Sequence, residues 1–312
     1  MIFIHLLFYI CSLLCIWFGA GLIVRGVDNF SSQLKVSSFT VSFFVLGILT
    51  SIPELSLGLN AIAINDPEIF VGNLLGGVIV IFLLIIPLFA ILGGGVTISR
   101  QLDKRNLLFS LLTIAAPVFF LADNKLTNVD GAFMLILYVV LLLFIQKKKG
   151  FLDALGSTNK PKINYVDSFA RIIIGIVIVY FTSKFLVDRT VYFSHLFQVS
   201  PFIISLIGLS IGTNIPELSL AIRSVLTGKK DIALGDYVGS AAANTLLFGF
   251  FSILNPGVIH INGNFYITVV FILLSVFMFY FFSRSRNDIS RKEGFLLLSF
   301  YIFFLLTELL KV

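Results

Sequence analysis

Two glutamates, Glu54 and Glu217, stand inside apolar stretches of this chain, each in a copy of one short motif. The first copy reads Thr50-Ser51-Ile52-Pro53-Glu54-Leu55-Ser56-Leu57. The second reads Thr213-Asn214-Ile215-Pro216-Glu217-Leu218-Ser219-Leu220 and follows 163 positions later (217 − 54) without a gap. A small-residue block follows each glutamate at the same interval: Gly72-Asn73-Leu74-Leu75-Gly76-Gly77 in one copy and Gly235-Asp236-Tyr237-Val238-Gly239-Ser240 in the other. An ionisable side chain near mid-bilayer costs at least about 2.5–3.5 kcal/mol, so a matched pair of them marks a functional site, here one between two halves.

The neighbours of each glutamate define the chemistry. Pro53 and Pro216 cannot donate to the carbonyl four residues back, which frees the oxygens of Leu49 and Gly212. In lipid a freed carbonyl must find another partner, and a desolvated cation is a suitable one. Thr50 and Thr213 each precede their glutamate by four residues and share its helix face. Each copy thus offers a carboxylate, a hydroxyl and a carbonyl at one level. Face to face, the copies form an oxygen cage whose two negative charges match one divalent ion. Oxygen ligands in a flexible arrangement suit calcium. The lack of Cys and His in the set argues against a softer metal. The glycines of the small-residue blocks read as packing positions. Ser240 and Asn244, four apart on one face, add polar groups to the second copy, whereas their counterparts Gly77 and Ile81 leave the first without them.

The elements that must hold this cage are membrane helices. Of the 312 residues 58% are hydrophobic and 12% charged, with mean hydropathy +1.04; soluble domains carry about 25% charged residues. Apolar runs of spanning length, about 20 residues each, are expected at 3–24, 37–63, 68–93, 107–121, 130–146, 167–187, 199–222, 232–255, 265–283 and 294–310. The first run lacks a basic leading region and a small-residue cleavage site and reads as a retained span. The fold expected is an all-α polytopic membrane protein of about ten transmembrane helices in two inverted five-helix repeats. The first repeat covers 1–146, with its motif block at 47–86. A cytoplasmic linker covers 147–166, and the second repeat covers 167–312, with its block at 210–249. The inversion follows from counting: five crossings separate the copies, so corresponding elements run in opposite directions.

Charge placement sets the orientation. With the N-terminus outside, the inner loops hold 17 of the 22 Lys and Arg residues and the outer side 4 (Lys125, Lys184, Arg189, Lys311), while Arg171 falls within the sixth span. This bias predicts an N-out, C-out protein of the cell (inner) membrane. The net charge of +6 is therefore a topology signal with anionic lipid as its partner, and no nucleic acid is expected. Cys11 and Cys15 read as apolar packing, and His5, His195 and His260 as residues near span ends. No phosphate-binding loop, nucleophile elbow or His-Glu-x-x-His pattern occurs, so no enzyme and no cofactor are expected.

The two blocks, their order and the ten-span layout resemble the α-repeats of the sodium/calcium exchanger group within the cation/calcium exchanger superfamily. The motif there is roughly G-T/S-S-x-P-E followed by G-N-x-x-G-S-N-x-x-N/D. The resemblance implies an antiporter that exchanges calcium for sodium by alternating access. Its expected partners are calcium and sodium ions and membrane lipid, in a monomer. Glu54, Glu217, Thr50 and Thr213 are then the central calcium ligands. Ser51, Ser240 and Asn244 occupy sodium-site or neighbouring polar positions. Leu49, Gly212 and Asn214 complete the candidate set. The chain departs from the pattern at Leu49 for glycine, Asn214 for serine, Gly77 and Ile81 for serine and asparagine, and Asp236 for asparagine. The divalent core is intact and the sodium-side hydroxyls are depleted, which keeps a proton-coupled exchanger for calcium or another cation as the alternative. A passive channel lacks a continuous polar path here, an intramembrane enzyme lacks a nucleophile–base pair or metal triad, and a metabolite transporter does not predict paired Pro-Glu breaks.

Overall fold

The computed structural model describes residues 2–31, 43, 47–97, 104–146, 165–227, 230–261, 265–285 and 288–310. Helices α1 (Ile2–Ser31), α2 (Gly47–Thr50), α3 (Ile52–Ala63) and α4 (Glu68–Ile79) come first. A π-helical stretch, Val80–Ile85, joins α4 to α5 (Ile86–Gly93), and β1 (Val96–Thr97), α6 (Lys104–Phe120), β2 (Lys125–Leu126) and α7 (Asn128–Gln146) follow. The later part opens with α8 (Tyr165–Phe197) and α9 (Pro201–Ile204). A second π-helical stretch, Ser205–Leu209, leads into α10 (Ser210–Thr213), α11 (Ile215–Thr227) and α12 (Lys230–Leu254). The chain closes with β3 (Ile259–His260), α13 (Tyr266–Ser285), β4 (Asp288–Ile289) and α14 (Arg291–Leu309).

This is a helical membrane protein. Seven of the described helical segments are long and apolar enough to cross a bilayer: Phe3–Ile23, Glu68–Gly93, Asn128–Ile145, Val166–Phe197, Pro201–Ser219, Leu234–Leu254 and Tyr266–Arg284. The other three expected spans fall short for separate reasons. The run at 37–63 lies partly outside the described residues, α6 has 17 residues, and α14 carries Arg291, Lys292, Glu293 and Glu308.

Burial sorts the helices into layers. The most apolar stretch of Glu68–Gly93 is 83% buried inside the protein and that of Leu234–Leu254 78%, against 33% for Phe3–Ile23 and 28% for Val166–Phe197. Thus α4, α5 and α12 form the centre. Phe70 of α4 packs on Phe248 and Phe251 of α12, and Phe89 of α5 packs on Tyr237. Meanwhile α1 and α8 pair with each other as an outer layer. Asn60 of α3 ties α8 to this core by donating from Nδ2 to Ser183 Oγ at 2.9 Å.

The 163-residue offset recurs throughout the backbone. Strand β1 pairs antiparallel with β4, Val96 opposite Ile289 and Thr97 opposite Asp288. Adding 163 to β1 and subtracting it from β4 gives the other ribbon, Ile259 opposite Leu126 and His260 opposite Lys125. The helices after β2 and β4 start alike. Thr127 N–H donates to Asp130 Oδ2 at 2.9 Å and Asp130 N–H returns a bond to Thr127 Oγ1 at 3.3 Å. Ser290, at 127 + 163, exchanges the same two bonds with Glu293, at 2.7 and 3.4 Å. Such capping boxes satisfy otherwise orphaned N–H groups at a helix start.

Three expectations change. The sixth span was expected to end at 187, but α8 continues to Phe197. Arg189, expected in an outer loop, is held within the helix. Its guanidinium lies 4.8 Å from the Phe185 ring centre and bonds His5 Nδ1 at 2.9 Å. At about 1.5 Å per residue this helix exceeds the ~30 Å hydrocarbon thickness. Arg171 sits in its opening turns, paired with Asp167 at 2.8 Å. Cys11 and Cys15 are free thiols on the exposed face of α1. Most of the expected linker, 147–164, lies outside the described residues, and Tyr165 and Val166 already belong to α8.

Candidate cation site

Each proline does more than loosen a helix. It starts a new one. The first motif helix stops at Thr50, Ser51 leaves helical geometry (φ −82°, ψ 7°), and α3 resumes with Pro53 in its first turn. The second stops at Thr213, Asn214 does the same (φ −91°, ψ 10°), and α11 resumes with Pro216 in its first turn. Proline is tolerated in the first turn because the N–H it lacks would be unpaired there anyway. The break therefore puts Glu54 and Glu217 in the first turns of α3 and α11, where the partial positive charge of a helix start favours a carboxylate.

The residues around the two breaks come together. Thr50, Ser51, Glu54, Thr213, Asn214, Glu217, Ser240 and Asn244 are all buried, none more than 3% exposed. Glu54 lies within electrostatic range of Glu217 and beside Thr213, and Glu217 lies beside Thr50. Threonine of one copy thus faces glutamate of the other. Ser240 Oγ donates to Glu217 Oε1 at 3.0 Å and stands 3.4 Å from Ser51 Oγ. Asn244 Nδ2 donates to the Leu74 carbonyl at 3.2 Å. One oxygen of each glutamate, Oε2, has no hydrogen-bond partner among the described residues. A buried carboxylate oxygen without a partner is costly, and two at equivalent places point to a cation.

Two residues of this cluster were absent from the candidate set. Thr50 Oγ1 donates to Asp236 Oδ1 at 3.4 Å, and Thr213 Oγ1 donates to Asn73 Oδ1 at 3.2 Å. Asp236 and Asn73 are themselves 163 apart and buried. Their place in the small-residue blocks was visible in the sequence; their contact with the opposite copy's threonine was not. The backbone expectations stand differently. The Leu49 side chain lies outside what the structure describes. Gly212 is buried, with its Cα against Leu13 of α1. Among the described residues no three of His, Cys, Asp and Glu gather as a metal cluster, so a hard cation here would rely on hydroxyl, amide and carbonyl oxygens beside the glutamates.

Small residues let the helices approach this closely. A Cβ at Gly76 of α4 would run into the Leu206 carbonyl, and one at Gly239 of α12, 163 later, into the Phe43 carbonyl. At Gly47 it would meet the backbone of Gly239 and Ser240 at 2.6–2.9 Å.

The family model described as "Sodium/calcium exchanger protein" matches residues 4–147 and again 168–310, once in each half. The chain is 27% identical over 307 residues to the putative antiporter CaxA of Alkalimonas amylolytica, covering 95% of this chain and 96% of that one. It is 24% identical to the sodium/calcium exchanger MaX1 of Methanosarcina acetivorans, covering 98% of each. A solved structure of the sodium-calcium exchanger NCX_Mj, soaked with sodium and strontium, shares the fold, with TM-score 0.71, 24% identity and 97% and 98% of the two chains covered. With the family model matched across nearly the whole chain, this protein belongs to the sodium/calcium exchanger protein family.

Proposed function

We propose that the protein is a secondary-active antiporter that exchanges calcium for sodium by alternating access, with its ion site at the bilayer midplane between two inverted five-helix repeats. One observation carries the reading: two buried glutamates at equivalent positions, each with an oxygen lacking a hydrogen bond among the described residues and each beside the other copy's threonine. Glu54, Glu217, Thr50 and Thr213 are the central calcium ligands. Ser51, Asn214, Ser240 and Asn244 flank them, and the carbonyls of Leu49 and Gly212 serve as backbone ligands. The exchanged two-strand ribbons and the matched capping boxes support the duplication. Ten crossings with both termini outside the cell membrane follow from the same symmetry and from the charge bias. A carrier needs two global states that bind the ion differently, and the α1–α8 layer, whose most apolar stretches are only 33% and 28% buried inside the protein, is the part that shifts in this reading.

The deciding experiment is calcium flux into inside-out vesicles under an imposed sodium gradient and, separately, under an imposed proton gradient. A sodium gradient is expected to drive uptake. Gly77 and Ile81, which remove polar groups from the first copy, favour the proton-coupled alternative, and uptake driven by the proton gradient alone would establish it. Uptake under neither gradient would sink the antiporter reading.

Topology gives an independent prediction. Single cysteines at 147–162 and at 284–292 are expected to react with an impermeant thiol reagent only from the cytoplasmic side, and those at 124–128 and 257–263 only from outside. Cys11 and Cys15, exposed on α1, must first be replaced. Labelling of both sets from one side would overturn the inverted arrangement.

A further inference from the structure

The cage is symmetric at its glutamates and asymmetric beside them. On one flank Ser51 Oγ donates to the Gly47 carbonyl at 2.8 Å and faces Ser240 Oγ at 3.4 Å, while Asp236 accepts from Thr50. Shifting each position by 163 gives the other flank: Asn214 for Ser51, Gly77 for Ser240 and Asn73 for Asp236. There Asn214 Nδ2 donates to the Ser210 carbonyl at 2.8 Å, the mirror image of the Ser51 bond. Asn244 crosses over to donate from Nδ2 to the Leu74 carbonyl. A carbonyl only accepts, so in both amides the nitrogen must be the atom facing it. These two nitrogens also converge on Gly77, lying 3.2 Å (Asn214) and 3.1 Å (Asn244) from where its Cβ would stand.

The two flanks therefore present opposite chemistry to a cation. A hydroxyl that has donated its proton keeps lone pairs to offer, as Ser51 and Ser240 do, and Asp236 adds a negative charge. An amide nitrogen offers protons and no lone pair. We propose that only the Ser51–Ser240 flank takes a monovalent cation, and that on the Gly77 flank the amide N–H groups of Asn214 and Asn244 stand in place of one. This rests on the antiporter reading and deepens it. Each transport cycle moves fewer sodium ions than a cage with two hydroxyl flanks would, because one flank offers N–H groups where a sodium ion needs lone pairs.

The test copies one flank onto the other. Asn214→Ser with Gly77→Ser places the Ser51–Ser240 pair at the mirrored positions. Removing the Asn214 amide makes room for a Cβ at 77, whose one remaining near contact among the described residues is the far end of the Asn244 side chain. Purified wild type and double variant are compared in proteoliposomes, measuring calcium flux against sodium concentration and the sodium gradient that just balances a fixed calcium gradient. The order in sodium is expected to rise by about one in the variant. An unchanged order overturns the proposal while leaving the antiporter reading intact; a wild type without calcium flux under any gradient overturns that reading instead. Asn214→Asp supplies a second measurement that needs no transport. It replaces that nitrogen by oxygen and adds a carboxylate charge at nearly constant volume, giving up the bond to the Ser210 carbonyl, so thermal stability in detergent is expected to rise more steeply with sodium, relative to choline, than in wild type. Equal sodium dependence in Asn214→Asp and wild type overturns the proposal as well.

Discussion

Replacing Glu54 or Glu217 by Gln is expected to bring calcium transport to background while the protein still folds and inserts. Gln keeps the size and removes one of two charges from a site where both carboxylates are almost wholly buried. Removing one partner of a buried ion pair typically costs about 3–5 kcal/mol, two to three orders of magnitude or more in affinity. Gln also brings an NH2 group into a cage that must present oxygens, so the loss is not confined to charge. Insertion is spared because an amide is cheaper in a bilayer than a carboxylate. The measurement is equilibrium binding of radioactive calcium to purified protein, with flux in vesicles alongside. Calcium carried at the wild-type rate by both variants would mean that the glutamates are not its ligands. The variants need not be equal. Glu217 keeps a bond from Ser240 that Glu54 has no counterpart for, since Gly77 stands at the mirrored position.

Much of this site was legible in the sequence because duplication writes the same information twice. A single Pro-Glu pair in an apolar run is ambiguous; two at one offset, each with threonine four residues earlier, define a level and a partner. The helix breaks and the burial of nine of the ten candidate positions, all but Leu49, follow from local patterns of that kind. What was not legible depended on how the halves meet. The ribbons of β1 with β4 and β2 with β3 are two residues per strand, too short for any period-2 pattern to register. The length of α8 was hidden because Arg189 reads as a loop residue until His5 and Phe185 are brought beside it. Asp236 and Asn73 read as variations within a packing block until each is seen to accept from the other copy's threonine. Likewise Gly77 reads as a missing hydroxyl, whereas two amide nitrogens stand 3.1 and 3.2 Å from where its Cβ would be.

Substitutions at Gly76 and Gly239 are expected to damage the protein more than any surface change, and by the same mechanism at both positions. The atoms that an added Cβ would strike are carbonyl oxygens of Leu206 and Phe43. Backbone cannot rotate away as a side chain can, so the helices must separate. Overpacking in a core costs about 1–3 kcal/mol even when neighbours are flexible, and Gly239→Val is expected to reach or exceed the top of that range. Gly21→Ala is the control. Among the described residues nothing lies within 4 Å of its added Cβ, and Ala favours helix over Gly by up to about 1 kcal/mol, so that variant should be at least as stable as wild type. Thermal unfolding in detergent, followed by the loss of monodisperse protein, orders the three. The milder Gly76→Ala separates packing from function. Gly76 lies one turn from Asn73 on α4, and α4 carries the Asn73 oxygen that holds Thr213 at 3.2 Å beside Glu54. A retreat of α4 large enough to clear the Leu206 carbonyl stretches that bond before the fold is lost. Gly76→Ala is therefore expected to weaken calcium binding while still giving folded protein. A Gly76→Ala protein that binds calcium as wild type does would show that the cage is not set by the approach of these two helices.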